Sequence, residues 1–130
     1  MAKYDEAAVE AEIQAKGKTA PRITPQMIDD TIRAEYAFNV YDALVALGVP
    51  ADEGLKVMTI SVLKLQNGFI VTGESACASP ENYDAEIGQR IARDSARNKI
   101  WALEGYRLRS ELQGEQFKKY AGFENLTPQS

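Results

Sequence analysis

The residues best suited to chemistry lie in one predicted helix in the second half of the chain. Arg90, Arg97 and Trp101 are separated by seven and four residues, so an α-helix carries them on one side, with Arg93 beside them. A guanidinium group holds phosphate oxygens through two parallel hydrogen bonds, and guanidinium or indole planes stack on a nucleobase. This pattern predicts a site for a nucleotide-like anion.

The same spacing also has a purely structural interpretation. Glu86 lies four residues before Arg90, and Asp94 lies three residues before Arg97. Pairs at these separations meet on a helix surface, so both arginines could be held in surface ion pairs.

A polar elbow precedes this helix and consists of Ser79, Glu81, Asn82, Tyr83 and Asp84. Helix N-termini offer unpaired N–H groups to anions, so Asn82 and the free amides could bind the ribose or phosphate of a ligand. Alternatively, Ser79, with Pro80 at the first helical position, or Asn82 simply caps the helix, and Tyr83 packs on the core.

The residue types present exclude most catalytic and metal chemistry. The chain has no His and a single Cys, Cys77, so it lacks the residues of imidazole-based triads, most zinc sites and disulfide frameworks. Glu81 and Asp84 do not have a spacing that implies a shared pocket, and no Gly-rich phosphate loop with a lysine is present. Cys77, among small residues, is predicted to be a buried, inert thiol. We therefore expect no catalytic residue, no metal and no cofactor.

Composition predicts one ordinary globular domain. The 130 residues are 45% hydrophobic and 26% charged. No apolar run approaches the roughly 18 to 20 residues that span a bilayer, and the first residues lack a signal-peptide segment, which predicts a cytoplasmic protein without a membrane partner. The net charge of -4 argues against duplex nucleic acid as the main partner. A single-strand binder is disfavoured because it needs several exposed aromatic residues among Lys and Arg.

The elements that must position the candidate site begin with a helix after Thr24. Pro25 suits a first helical position, and apolar spacing predicts a helix over residues 25–34. Tyr36, Phe38 and Val40 then alternate as in a short strand, but the same residues could extend the helix.

A β-hairpin is the clearest local signal. The runs VMTISVLKL and FIVTGES flank Asn67 and Gly68, which predict a two-residue type I′ turn that pairs Gln66 with Phe69 and Val62 with Gly73. The resulting apolar faces are Met58, Ile60, Val62, Phe69 and Val71 on one side, and Leu63, Leu65 and Ile70 on the other. Because both faces are apolar, we expect the second to meet another element or subunit.

A long helix follows from about Asp84. Its predicted apolar stripe is Ile87, Ile91, Ala92, Ala96, Ile100, Leu103 and Tyr106. The predicted class is α+β, with an antiparallel hairpin or small sheet packed against this long C-terminal helix and a shorter N-terminal helix. We expect an N-terminal arm over residues 1–21, a single domain over 22–112 and a C-terminal arm over 113–130.

The motifs between Asn67 and Tyr106 resemble a known phage family. NGF, VTGESAC, SPENYD, IG, IAR, AR, KIW and LEGY follow one another, as in the tailed-phage and prophage proteins named for gene products forty-nine and sixty-six of two enterobacterial phages. The pattern is also similar to type-one Thoeris anti-defence proteins. That resemblance implies a non-catalytic protein of the host cytoplasm that forms homodimers or larger homo-oligomers. It also implies sequestration of signalling nucleotides such as glycocyclic ADP-ribose or cyclic oligonucleotides.

The predicted ligand site is chosen by side-chain chemistry within these shared motifs. It comprises Phe69, Asn82, Tyr83, Arg90, Arg93, Arg97 and Trp101. The alternative function is a phage accessory protein that binds a host protein and has no small-molecule ligand.

Overall fold

A computed structural model describes residues 5–18 and 20–121 of the chain, with side chains through residue 115. The helices and strands of these residues, in chain order, are α1 (Glu6–Ala15), α2 (Pro25–Thr31), β1 (Ile32–Asn39), α3 (Val40–Ala46), β2 (Met58–Leu65), β3 (Ile70–Ala76) and α4 (Ala85–Ala121). Short 3₁₀ helices precede β2, at Glu53–Val57, and α4, at Pro80–Asn82. None of the described helices combines the length and the apolar character that a membrane crossing requires.

The chain divides into two compact units. One is Gln26–Ile100, which contains the sheet and the first part of α4, and the other combines Met1–Pro25 with Trp101–Ser130. α4 continues beyond residue 112, the predicted end of the domain. Residues 1–4 and 19 of the predicted N-terminal arm and residues 122–130 of the C-terminal arm lie outside the described residues, and the three predicted domain boundaries stay predictions.

The sheet confirms the predicted α+β class. Its three strands are antiparallel in the order β1-β2-β3, and it packs against the long helix α4 and a shorter N-terminal helix. The open choice between strand and helix after residue 34 is resolved as a strand, which already begins at Ile32. Val40 begins α3, because the Asn39 side chain accepts the Asp42 N–H at 3.1 Å and caps that helix.

The hairpin between β2 and β3 is present, but the predicted type I′ turn is wrong. Gly68 N–H donates to the Leu65 carbonyl at 2.9 Å, and Leu65 N–H donates to the Phe69 carbonyl at 2.8 Å. Gly68 has a φ of 89°, whereas no described non-Gly residue has a positive φ. A type I′ turn needs two such residues, so the loop has three residues and only its last is left-handed.

This longer loop shifts the register by one residue. Val62 pairs with Thr72 rather than with Gly73, and Gly73 pairs with Ser61. The predicted pairing of Gln66 with Phe69 is likewise replaced, because Phe69 bonds to Leu65. A slip of one residue exchanges the faces of a strand, so the predicted faces of β3 are wrong.

The corrected register defines the two faces of the sheet. Val71 lies on the buried face with Leu63 and Leu65, whereas Ile70 lies on the opposite face. The opposite face, here called the outer face, carries Tyr36, Phe38, Ile60, Val62 and Ile70. Tyr36, Phe38 and Ile70 are exposed there.

α4 rests directly on β3 at Gly73. A Cβ at this position would lie 2.2 Å from the Ala92 carbonyl oxygen and 2.3 Å from the Ala96 nitrogen, so only glycine fits beneath the helix. The buried stripe of α4 is therefore narrow, and its members at Gly73 are the small residues Ala92 and Ala96. Ala92, Ala96 and Ile100 are buried as predicted.

The outer members of the predicted stripe are exposed, and their predicted burial is wrong. They are Ile87, Ile91, Leu103 and Tyr106. Residues four apart stay in line on a helix, and a single line of small side chains suffices where the helix backbone touches the strand. The broader set of apolar residues at helical spacing overestimates the area that a small sheet covers.

The predicted caps of α4 are also wrong. Ser79 makes no capping hydrogen bond through its side chain, and Asn82 belongs to the preceding 3₁₀ turn. The carboxylate of Asp84 instead accepts the Ile87 N–H at 3.0 Å, so the helix begins one turn later than Ser79 and Pro80 indicate.

Candidate functional site

A groove runs between the edge strand β1 and the first turns of α4. Its first part, here called the arginine cleft, has a volume of 440 Å³. The cleft is lined by Glu35, Tyr36, Ala37, Ser61, Glu86, Gln89, Arg90 and Arg93. Because β1 is an edge strand, the groove opens beside it.

Arg90 is the exposed cation of the arginine cleft. Within the described part of the chain, its guanidinium has neither an ion pair nor a hydrogen bond. The alternative in which Glu86 neutralises Arg90 is therefore wrong, although both side chains line the cleft. The Arg90 guanidinium keeps its donors available to an anion.

Arg93 crosses the same cleft to the opposite wall. Its Nε donates to Glu35 Oε1 at 2.6 Å and its Nη2 to Oε2 at 3.3 Å. This paired hydrogen bond raises the pKa of Arg93 and lowers the pKa of Glu35, because it stabilises the charged form of each group. The pair links α4 to β1.

Arg97 has a different environment. Its Nε donates to Asp29 Oδ1 at 2.8 Å, and its side chain is only 12% exposed. Spacing suggested Asp94 as a partner of Arg97, whereas this ion pair is made with Asp29 of α2. Arg97 does not line the arginine cleft and instead ties α4 to α2.

Trp101 belongs to the other compact unit. Its indole Nε1 donates to Glu6 Oε2 of α1 at 3.1 Å, and the ring is half-buried. Trp101 does not line the arginine cleft. Of the four helix residues predicted for the ligand site, the cleft therefore brings together Arg90 and Arg93 only.

The second part of the groove, here called the tyrosine cavity, has a volume of 740 Å³. It is lined by Ala37, Phe38, Asn39, Tyr41, Asp42, Lys56, Thr59, Tyr83, Ala85 and Gln89. Ala37 and Gln89 line both parts, so the cavity adjoins the cleft.

Tyr83 is fixed in this cavity by Asn39. The Asn39 amide donates to the Tyr83 hydroxyl at 3.1 Å and to the Lys56 carbonyl at 2.8 Å, while its oxygen caps α3. Sequence reasoning found Tyr83 through the polar elbow. It missed Asn39, whose signal was an Asn directly after an alternating strand pattern.

The remaining predicted site residues lie outside both parts of the groove. Asn82 is exposed in the 3₁₀ turn before α4. Phe69 follows the hairpin turn, is 53% exposed, and donates its backbone N–H to Asn67 Oδ1 at 2.9 Å. Neither side chain lines the cleft or the cavity.

Two features of the described residues bear on metal binding and on nucleophilic chemistry. No three His, Cys, Asp or Glu side chains among them come together as metal ligands. Cys77 is half-buried rather than buried, and its Sγ donates to the Ser79 carbonyl at 3.1 Å.

The comparison with protein families decides what the chain is related to. The model of the phage protein family named for N4 Gp49 and phage Sf6 gene 66 matches residues 23–112, well over half of the chain. The chain belongs to this phage protein family. The match includes every residue that lines the groove, and it confirms the family resemblance carried by the motifs. No curated protein and no solved structure matches the chain.

Proposed function

We propose that this phage protein is a non-catalytic binding protein that sequesters a signalling nucleotide, either glycocyclic ADP-ribose or a cyclic oligonucleotide. Sequestration would block a bacterial anti-phage defence. The observation that supports this best is Arg90, a guanidinium without a partner among the described residues that faces the arginine cleft. An unpaired guanidinium beside a concave surface is suited to a phosphate group.

The neighbours of Arg90 support an anion in this cleft. The charge of Arg93 is offset by Glu35, but these bonds hold its guanidinium across the cleft, where its remaining N–H groups can donate to an anion. A preformed position reduces the side-chain entropy that ligand binding would otherwise cost. Glu86 opposes the anion, so its removal should strengthen binding.

Sequestration suits these residue types better than catalysis. A protein that captures a signal needs tight binding and slow release, at a Kd of about 1 nM or -12 kcal/mol, and needs no proton-transfer group. The chain has no His to carry out such a transfer near neutral pH.

The proposal includes a homodimer or larger homo-oligomer in the host cytoplasm. The outer face of the sheet supports self-association, because Tyr36, Phe38 and Ile70 are exposed apolar residues on it. Native mass spectrometry should detect two or more chains, and an Ile70→Glu variant should shift the distribution towards one chain.

Calorimetry with cyclic and glycocyclic nucleotides tests the function. We expect at least one nucleotide to bind at micromolar or lower concentration, and Arg90→Gln to weaken it tenfold or more, because a charge-assisted hydrogen bond contributes about 1.5–3 kcal/mol. Glu86→Gln should tighten it severalfold. Arg33→Gln is the matched control, since Arg33 is exposed but does not line the groove.

Two results would reject the proposal. One is the absence of heat with every nucleotide at micromolar protein. The other is chemical conversion of the bound nucleotide over hours, because a sequestering protein must return its ligand intact after denaturation.

The outer face favours a second candidate function, the binding of a host protein without a small-molecule ligand. In that case nucleotides should leave the melting temperature unchanged. Ile70→Glu should then abolish capture of the host protein, and Arg90→Gln should leave it intact.

A further inference from the structure

We propose that the tyrosine cavity binds the nucleoside part of a nucleotide whose phosphate lies in the arginine cleft. This inference rests on the proposed function, and it names the part of the ligand that each half of the groove holds. The volume of 740 Å³ is within the range of about 300–1,000 Å³ found for small-molecule sites.

Charge distinguishes the cavity from the cleft. Lys56 lines the cavity, but its Nζ is paired with Glu53 Oε2 at 2.8 Å, and the Asp42 carboxylate lines the same space. These carboxylates offset the ammonium charge. A second phosphate therefore has no uncompensated cation here, whereas a neutral, polar nucleoside meets no such obstacle.

The cavity wall offers hydrogen-bonding groups that the protein leaves unused. The Tyr83 hydroxyl accepts from Asn39, so its own proton is available to a ligand acceptor. Gln89 is exposed and, among the described residues, has no hydrogen-bond partner for its amide. An amide presents a donor and an acceptor together, which matches the edges of a nucleobase or the hydroxyls of a ribose.

Thr59 contributes a buried hydroxyl without a hydrogen-bond partner among the described residues. The residue is 1% exposed. Buried polar groups are nearly always satisfied, so an unsatisfied hydroxyl beside a cavity indicates a missing partner. The hydroxyl lies against Gly88 of α4 and is closed off from the cavity, so a polar atom of a ligand can supply that bond only once the Thr59 side chain has turned towards the cavity.

The arginine cleft and the tyrosine cavity adjoin each other, so one ligand can occupy both. Gln89 and Ala37 line both, from α4 and β1 respectively, and Arg90 follows Gln89 in the chain. A phosphate beside Arg90 therefore lies next to the entrance of the tyrosine cavity. Tyr83 provides a ring within it for contact with the nucleoside, whereas one face of the Tyr41 ring is covered by the Lys56 ammonium, 4.8 Å from the ring centroid.

Titrations with ADP-ribose and with pyrophosphate separate the two halves, because both probes carry the diphosphate but only ADP-ribose carries nucleoside. We expect the wild-type protein to bind ADP-ribose at least tenfold more tightly than pyrophosphate. Thr59→Val and Tyr83→Phe should each weaken ADP-ribose about fivefold and leave pyrophosphate unchanged. Arg90→Gln should weaken both probes.

Thr59→Val keeps the shape of the side chain and removes only the hydroxyl. Since that hydroxyl has no partner in the unbound protein, the melting temperature should stay the same or rise while ADP-ribose binding weakens. If Thr59 had only a structural role, its substitution would lower the melting temperature and ADP-ribose binding together.

Equal affinities for the two probes, or unchanged ADP-ribose binding in both cavity variants, would overturn the nucleoside assignment and leave the arginine cleft standing. If a cyclic nucleotide binds but ADP-ribose does not, the inference fails and the proposed function survives. If no nucleotide binds at all, both fail.

Discussion

Substitution of Gly73 by alanine is the most direct test of how α4 is held on the sheet. The added methyl carbon would lie 2.2 Å from the Ala92 carbonyl oxygen and 2.3 Å from the Ala96 nitrogen. Since non-bonded carbon and oxygen atoms approach to about 3.3 Å, the helix would have to retreat by roughly 1 Å. Such a shift opens the contact between α4 and β3.

The expected cost is large because the obstructing atoms belong to the backbone. Overpacking typically costs about 1–3 kcal/mol, and a backbone atom cannot rotate out of the way as a side chain can. We therefore expect Gly73→Ala to lower the free energy of unfolding by about 3 kcal/mol or more, a large part of the total for a domain of this size.

Two glycines of α4, Gly105 and Gly88, provide matched controls in urea denaturation followed by circular dichroism. A methyl group at Gly105 meets nothing within 4 Å, so Gly105→Ala should stabilise the protein by about 0.5–1 kcal/mol through helix propensity. A methyl group at Gly88 would lie 2.9 Å from Thr59 Oγ1, a side-chain atom that can move. Gly88→Ala should therefore fall between the other two.

This reasoning is refuted if Gly73→Ala unfolds with a free energy within about 0.5 kcal/mol of the wild type, the range of ordinary surface substitutions. It is equally refuted if Gly105→Ala destabilises the protein as much as Gly73→Ala does. The first result would mean that α4 does not rest on β3 at this point, and the second that the loss of stability is not specific to the contact at Gly73.

Three further predictions concern individual residues. Hydrogen bonds from Arg22 lower the pKa of Glu10 to about 2, so their stabilising effect is present above the ordinary glutamate pKa of 4.5 and is lost as the pH falls towards 2. Arg22→Gln should raise the Glu10 midpoint, followed by NMR, towards 4.5, and the remaining hydrogen bond from Gln14 should keep it somewhat below that value; a midpoint that stays near 2 would contradict the assignment. Arg97→Ala should lower the free energy of unfolding by about 1–3 kcal/mol, because it leaves a charge-assisted bond unmade, whereas Arg90→Ala should change it by less than about 0.5 kcal/mol. Equal losses in urea denaturation would show that Arg90 has a structural partner. Gly68→Ala should cost about 1–2 kcal/mol in thermal unfolding because of the φ of 89°, and Gly68→Asn should cost less; identical melting temperatures would argue against the three-residue loop.

The architecture follows from local signals in the sequence, but the register does not. Alternating apolar residues around Asn67 and Gly68 predict a hairpin, and it is present. The same dipeptide fits a two-residue loop with both residues left-handed or a three-residue loop with only Gly68 left-handed. The longer loop lets Asn67 keep a negative φ, and that one-residue difference exchanged Val71 and Ile70 between the faces.

The part of the candidate site that lies within one helix was predictable from the sequence. The part that depends on contacts between side chains of different elements was not. Helical spacing identified Arg90 and Arg93, because their relation is set within α4. The same spacing grouped Arg97 with them, although its partner Asp29 lies far away in the chain. Spacings of three or four residues identify partners only within the same helix, so they cannot reveal Asp29. They also cannot show that Glu35 of β1 forms the opposite wall.

The arginine cleft depends on how closely α4 approaches the sheet. Ala92 and Ala96 lie in one line of the helix against Gly73, while Arg90 and Arg93 project towards the edge strand. With this contact closed, Arg93 reaches Glu35 of the β1 wall at 2.6 Å. A helix displaced by the Gly73→Ala methyl group should therefore lose that bond. We accordingly expect Gly73→Ala to weaken nucleotide binding even at temperatures where the variant is fully folded, whereas Gly105→Ala should leave it unchanged.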